Sequence, residues 1–230
     1  MPFYLPVQNA RAFRRMTRYD QVNWNNFNEV VDAFHARIDD WYLLPTKELI
    51  NHKDGGHYAF AIMALNCLLI DTLSQFYYGA DLSPSERRDS FPEASKAKFQ
   101  DYLVAQLSHR TGPLPTKIES ARGNLLTFED VLYSGFRCGI LHQAHVPLYG
   151  GIAGEPGGIV FEAAGKTKYA DGRDCPTVVC FPQKLFEDIE TVFLKYLVDL
   201  KNPDPAFTAL RRRFKAKFED SFGVTINTTI

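Results

Sequence analysis

Between His57 and Tyr78 the chain places Phe60, Ile62, Met63, Leu65, Leu68, Leu69, Ile70, Leu73 and Phe76 around the whole circumference of a helical axis. A helix that is apolar on every side must be enclosed by other elements, so this stretch predicts the middle of a bundle. The preceding segment, from about Asn23 to Leu44, carries Trp24, Phe27, Val31, Phe34, Ile38 and Trp41 at alternating steps of three and four. That spacing gives one apolar seam for one partner. Asp54 and two glycines form a polar loop between the two helices, and Gly79 ends the second.

Further helices follow the same logic. One is expected from Glu93 to Ser108, with Phe99, Tyr102, Leu103 and Leu107 inward, and a weaker one around Lys117 to Asn124. Thr127 followed by Asp130 reads as a capping box opening a helix that runs to about His145, where Pro147 stops it. From Tyr149 to Pro182 the composition changes to glycine punctuation and β-prone runs, Gly-Ile-Val-Phe-Glu at 158–162 and Thr-Val-Val-Cys-Phe at 177–181. Asp171-Gly172 between them signals a turn, so a β-hairpin is inserted here. A long amphipathic helix resumes at Gln183, and after Asn202-Pro-Asp-Pro205 a last helix turns Phe207, Leu210, Phe214 and Phe218 inward. The reading is a mainly α protein: a bundle of five to six helices with a small β insertion at 149–182. Residues 1–22 form a basic extended segment, 23–222 the helical domain and 223–230 a tail.

The chain has 230 residues, 45% hydrophobic and 23% charged, enough for one sizeable core. A formal charge of -1 argues against coating nucleic acid by bulk electrostatics, so any RNA contact has to be local. Cys67, Cys138, Cys175 and Cys180 offer one C-x4-C and no second pair, which is not a metal pattern and reads as reduced thiols. The N-terminus lacks the layout of a signal peptide, and no apolar run of about 20 residues is expected to cross a bilayer. Together these make a cytoplasmic protein with no membrane partner the expectation.

The residues that carry chemistry lie at 137–142, Arg-Cys-Gly-Ile-Leu-His. Arg137 offers a planar, permanently charged fork suited to phosphate. His142 can move protons near neutral pH. Positions five apart on an ideal α-helix point about 140° away from each other. Either the helix distorts near Gly139, or a two-fold dimer brings the edges of two such helices together. Asp71 is the only acidic residue in the enclosed helix, where an unpaired charge is costly, and is expected to orient Arg137 or His142; the alternative is an exposed place beside Gln75.

The stretch Tyr133-Ser-Gly-Phe-Arg-Cys-Gly-Ile-Leu-His-Gln-Ala-His145 resembles the R-x4-6-H signature of the HEPN domain family. The resemblance extends over roughly Asn23 to Leu200 and includes Ile70-Asp-Thr-Leu-Ser-Gln-Phe76 and the Leu141-His-Gln-Ala144 exit. Many HEPN proteins are metal-independent ribonucleases of defence and toxin systems. The resemblance implies a helical bundle, His142 in proton transfer, Arg137 on the phosphate, a 2′,3′-cyclic phosphate product, no cofactor and a homodimeric cleft. Cys138 departs from the family, many active members of which carry a polar residue such as Asn at that place.

Two supporting groups remain open. His145, one turn after His142, either lines the same cleft or sits exposed at the helix end; two histidines without a third ligand do not make a zinc site. Arg211, Arg212, Arg213 and Lys215 on the last helix are either a solvated outer face or an RNA-backbone rail, as are Arg11, Arg14, Arg15 and Arg18. The functional expectation is an endoribonuclease cleaving single-stranded RNA, with a cognate antitoxin or defence partner. The alternatives are a silent module binding nucleotide, RNA or protein, and a helical adaptor.

Overall fold

The computed structural model describes residues 22–79, 101–102, 106, 118–119, 125–147, 150–154, 161–168, 170–172 and 174–228. The N-terminal arginines and most of the helix expected from Glu93 to Ser108 lie outside these residues; Asp101, Tyr102 and Gln106 are helical.

Helix α1 opens at Phe27, where the Asn26 side chain accepts the Asn28 N–H at 3.1 Å. It runs as an α-helix over Phe27–Ile38, widens into a π-helical turn over Asp39–Leu43 and returns to α geometry over Leu44–Ile50. It is therefore longer than its seam predicts. Pro45 lacks an N–H and its ring crowds the carbonyl four residues back, which in a regular helix causes a break. The wider turn just before it leaves room, and the Thr46 hydroxyl donates to the Tyr42 carbonyl at 2.6 Å.

Helix α2 (Ala59–Tyr78) is the element that the sequence predicts to be enclosed. It contacts α1 and also α3 (residues 128–143), α4 (Pro182–Lys201) and α5 (Thr208–Phe222). By length and composition alone, Gly56–Tyr78, 23 residues whose most apolar window has a mean hydropathy of 1.5, could cross a bilayer, which corrects the expectation that no such run exists. Within the bundle it serves as the central post, 56% of its most apolar window being buried. Asn66, fully buried on α2, donates to the Pro182 carbonyl at 2.7 Å and so ties the post to the first turn of α4. At the other end Phe76 meets Phe34 at 4.4 Å and Phe214 at 5.8 Å between ring centroids, part of an aromatic cluster joining α1, α2 and α5.

The tail after α5 folds back onto the bundle. Ile226 is buried, its N–H reaches Glu219 Oε1 at 2.7 Å, and Asn227 N–H reaches the Trp24 carbonyl at 2.9 Å.

The β-structure is richer than one hairpin. β1 (Ile118–Glu119) pairs antiparallel with β2 (Leu125–Leu126), where a short helix was expected. β3 (Gly150–Ile152), β4 (Phe161–Lys168) and β5 (Asp174–Cys180) form a three-stranded sheet in the order β3-β5-β4. The expected hairpin is β4–β5, antiparallel, with Gly172 at φ 85° in its turn; β3 adds in parallel to β5. Val178 and Cys180 alternate inward, and the Cys180 thiol lies 3.4 Å from Met63 Sδ on α2. β3 thereby rests against α2 and α3. A Cβ at Gly150 would come within 2.5 Å of Val146 Cγ1 and 3.3 Å of the Phe136 ring, so any larger residue here requires those side chains to move.

Candidate functional site

Helix α3 starts with the capping box read from the sequence. Thr127 N–H donates to Asp130 Oδ2 at 3.1 Å, and Asp130 N–H donates to Thr127 Oγ1 at 3.2 Å. After one α-turn, Phe128–Asp130, the helix becomes π-helical over Val131–Cys138 and then α again over Gly139–Gln143. Gly135 and Gly139 in this stretch lower the resistance to leaving α geometry. At the end Ala144 takes φ 53°, a left-handed cap, and the His145 N–H closes onto the Gly139 carbonyl at 3.2 Å. The chain then folds back so tightly that a Cβ at Gly139 would sit 2.6 Å from the His145 carbonyl oxygen.

The helix distortion changes what the motif can do. Arg137 and His142 do not diverge: Arg137 Nη1 lies 3.1 Å from His142 Nε2 within one chain. Of the two arrangements the spacing left open, the structure contains the distorted helix, whose i→i+5 turn ends beside Arg137. The long arginine side chain completes the approach. A second protomer is not required to bring the two groups together.

Asp71 occupies the predicted place. Its Oδ2 accepts from Arg137 Nη2 at 3.0 Å, and the two side chains are 13% and 18% exposed. Burial disfavours the arginine's charge, but the hydrogen bond and charge of Asp71 outweigh it, so the guanidinium pKa is raised above its ordinary value. Arg137 is thus held as a cation. The ring of Tyr133 lies 5.4 Å from its Cζ, and Cys138 Sγ accepts a long contact from Nη1 at 4.0 Å.

Tyr133 and Cys67 are members of this cluster that motif reading missed. Each was findable by helical spacing, Tyr133 one turn before Arg137 and Cys67 one turn before Asp71. Cys67 is fully buried beneath the ion pair; burial pushes its thiol up to about 12 against the opposing charge of Arg137. Cys138 is half-buried with a free thiol, and Cys67 and Cys180 are also free.

The other predicted residues stand apart. His145 is exposed, its Nδ1 3.4 Å from the Gln143 carbonyl, and the structure does not bring it to Arg137. On α5, Arg211 stacks 4.9 Å over the Phe27 ring, Arg213 5.8 Å over Tyr77, and Lys215 donates to the Thr228 carbonyl at 3.2 Å. Arg212 is exposed. The outer face expected of this cluster is therefore partly folded back on the protein's own aromatics, and α5 has no extensive contact with α3. Among the described residues no group of three or more His, Cys, Asp or Glu side chains is placed to hold a metal ion.

The arrangement is a chain of carboxylate, guanidinium and imidazole that runs from the half-buried side of α2 to the exposed end of α3. It can hold a cation in place and present an imidazole beside it. No family model, curated protein or solved structure matches the chain.

Proposed function

We propose that the protein is a metal-independent endoribonuclease of HEPN type, acting on single-stranded RNA in the cytoplasm. The observation that carries this reading is the contiguous Asp71–Arg137–His142 cluster, 3.0 Å and 3.1 Å between successive partners, in a motif of the right residue types. In the reaction His142 takes the proton from a ribose 2′-OH, and the freed oxygen attacks the adjacent phosphorus. Arg137 stabilises the negative charge that develops on the phosphorane oxygens. The P–O5′ bond breaks as the 5′ oxygen takes the proton that His142 accepted, leaving a 2′,3′-cyclic phosphate and His142 as it began. Asp71 does not touch RNA in this scheme; it keeps Arg137 charged and aimed. A homodimer belongs to the same proposal, with two clusters sharing one cleft, as does a toxin or defence role with a cognate partner.

The silent-module alternative, binding nucleotide, RNA or a protein, is favoured by one observation: the basic nitrogen of His142 is already engaged by Arg137. A single experiment separates the two. Labelled single-stranded RNA is incubated with purified protein in EDTA, beside a His142→Ala variant. Cleavage by the wild type with a cyclic phosphate end, reduced roughly 10²- to 10⁴-fold in the variant, supports the enzyme. Binding without cleavage supports the silent module, and cleavage equal in both proteins removes His142 from the mechanism.

A further inference from the structure

A guanidinium has five N–H donors and no acceptor. The 3.1 Å contact between Arg137 Nη1 and His142 Nε2 is therefore a hydrogen bond through the Nε2 lone pair, a geometry that calls for the ring proton on Nδ1. A neutral imidazole has one basic lone pair, so in the free protein the nitrogen that would accept a proton is occupied. The two ends of the contact differ in anchoring. Arg137 is anchored by Asp71 on α2, whereas His142 is exposed near the end of α3, two residues before the left-handed Ala144. Nε of Arg137 is buried without a partner and Nη2 holds Asp71, so Nη1 is the nitrogen turned towards the exposed ring. A charged oxygen makes a stronger partner for an arginine N–H than a neutral nitrogen does.

We propose that the Arg137–His142 hydrogen bond is a latch: it keeps the base nitrogen of His142 occupied until a phosphate-class anion reaches Arg137 Nη1, displaces the ring and frees it. The role of the freed nitrogen rests on the ribonuclease reading; the latch itself does not. Substrate binding and activation of the base become one event, because the group that grips the phosphate is the group that releases the imidazole. His142 Nε2 is then not a free base while no phosphate is bound.

The test is a long-range proton–nitrogen correlation spectrum of the full chain labelled with ¹⁵N-histidine, recorded at a pH where His142 is neutral. Free neutral histidine favours the proton on Nε2, so the latch predicts the opposite form, Nδ1–H, for His142, with free histidine in the same buffer as reference. Inorganic phosphate, or an RNA oligonucleotide with deoxyribose throughout, is then added at constant ionic strength. His142 should shift towards the Nε2–H form. A response to both probes assigns the phosphate oxygen itself as the key, and a response to the oligonucleotide alone assigns a diester. Arg137→Met should show the Nε2–H form from the outset and no response; if that variant does not fold, the wild-type titration decides alone. An Nε2–H ring in the free wild type, or an Nδ1–H ring that neither probe shifts, overturns the latch. RNA cleavage tested separately distinguishes the two ideas: a latch that responds in a protein without cleavage overturns the ribonuclease reading only.

Discussion

Asp71 and Arg137 are 66 positions apart and meet at 3.0 Å, joining the central helix of the bundle to the helix that carries the motif. Asp71→Asn keeps the shape and removes the charge. It should retain the fold, lower stability by about 1–3 kcal/mol and cut RNA cleavage at least tenfold, because the guanidinium loses its charged anchor. Thermal unfolding and a cleavage assay on the same preparation read both effects; unchanged cleavage would remove Asp71 from the positioning role.

Gly139→Ala should destabilise the protein by roughly 1–3 kcal/mol, since the new methyl would meet backbone, the His145 carbonyl oxygen, rather than a side chain that can move. Gly223→Ala provides the contrast. Its φ is 63° with open space around it, so its cost comes from backbone strain alone, about 1 kcal/mol. Urea unfolding of the pair separates crowding from strain, and equal losses would argue against a tight turn at residue 139.

Thr127→Ala and Asp130→Ala should each cost about 1 kcal/mol, and the double variant should cost less than their sum because both disrupt the same reciprocal cap. Strict additivity in denaturant unfolding would mean that the box does not act as a unit.

The buried Cys67 thiol supplies a pH signature. Its folded pKa, about 12, lies above the ordinary thiol value, so above about pH 9 the unfolded chain releases a proton that the folded chain keeps. Its contribution is fully present below pH 9 and is lost as pH rises towards 12. Stability should fall over that window by roughly 1 kcal/mol per pH unit from this group, and Cys67→Ala should flatten the decline. Alkylation gives an independent check: at pH 8 the half-buried Cys138 should react while Cys67 resists. Identical alkaline slopes for wild type and variant would refute the assignment.

The parts of the fold that could be read in advance are those governed by local chemistry. The all-round apolar α2, the Thr127–Asp130 cap and the Asp171-Gly172 turn between β-prone runs each carry their cause in neighbouring residues. Asp71 was legible for a related reason, as the one carboxylate in an apolar helix. What escaped depends on distant partners or on departures from ideal periods. β3 is Gly-Gly-Ile, with no strand signal of its own, and exists because β5 offers it a ladder. The π-helical stretches at Asp39–Leu43 and Val131–Cys138 break the 3.6-residue period, and the second overlaps the start of the Arg137–His142 span on which the 140° divergence was reckoned. Arg211 and Arg213 lie on the side that a helical wheel calls solvent, but their stems are long enough to fold back over Phe27 and Tyr77.

Because α2 is both the hub of the core and the holder of Asp71, the site and the scaffold share one inheritance. A descendant that abandoned the chemistry would still face the penalty of a half-buried arginine stripped of its carboxylate, and would tend to keep Asp71 and Arg137 for stability alone. His142 is exposed near the end of α3 and carries no such burden. Among relatives of this chain, the histidine is thus the informative position: its loss beside an intact ion pair would mark a lineage that keeps the fold without the proposed reaction.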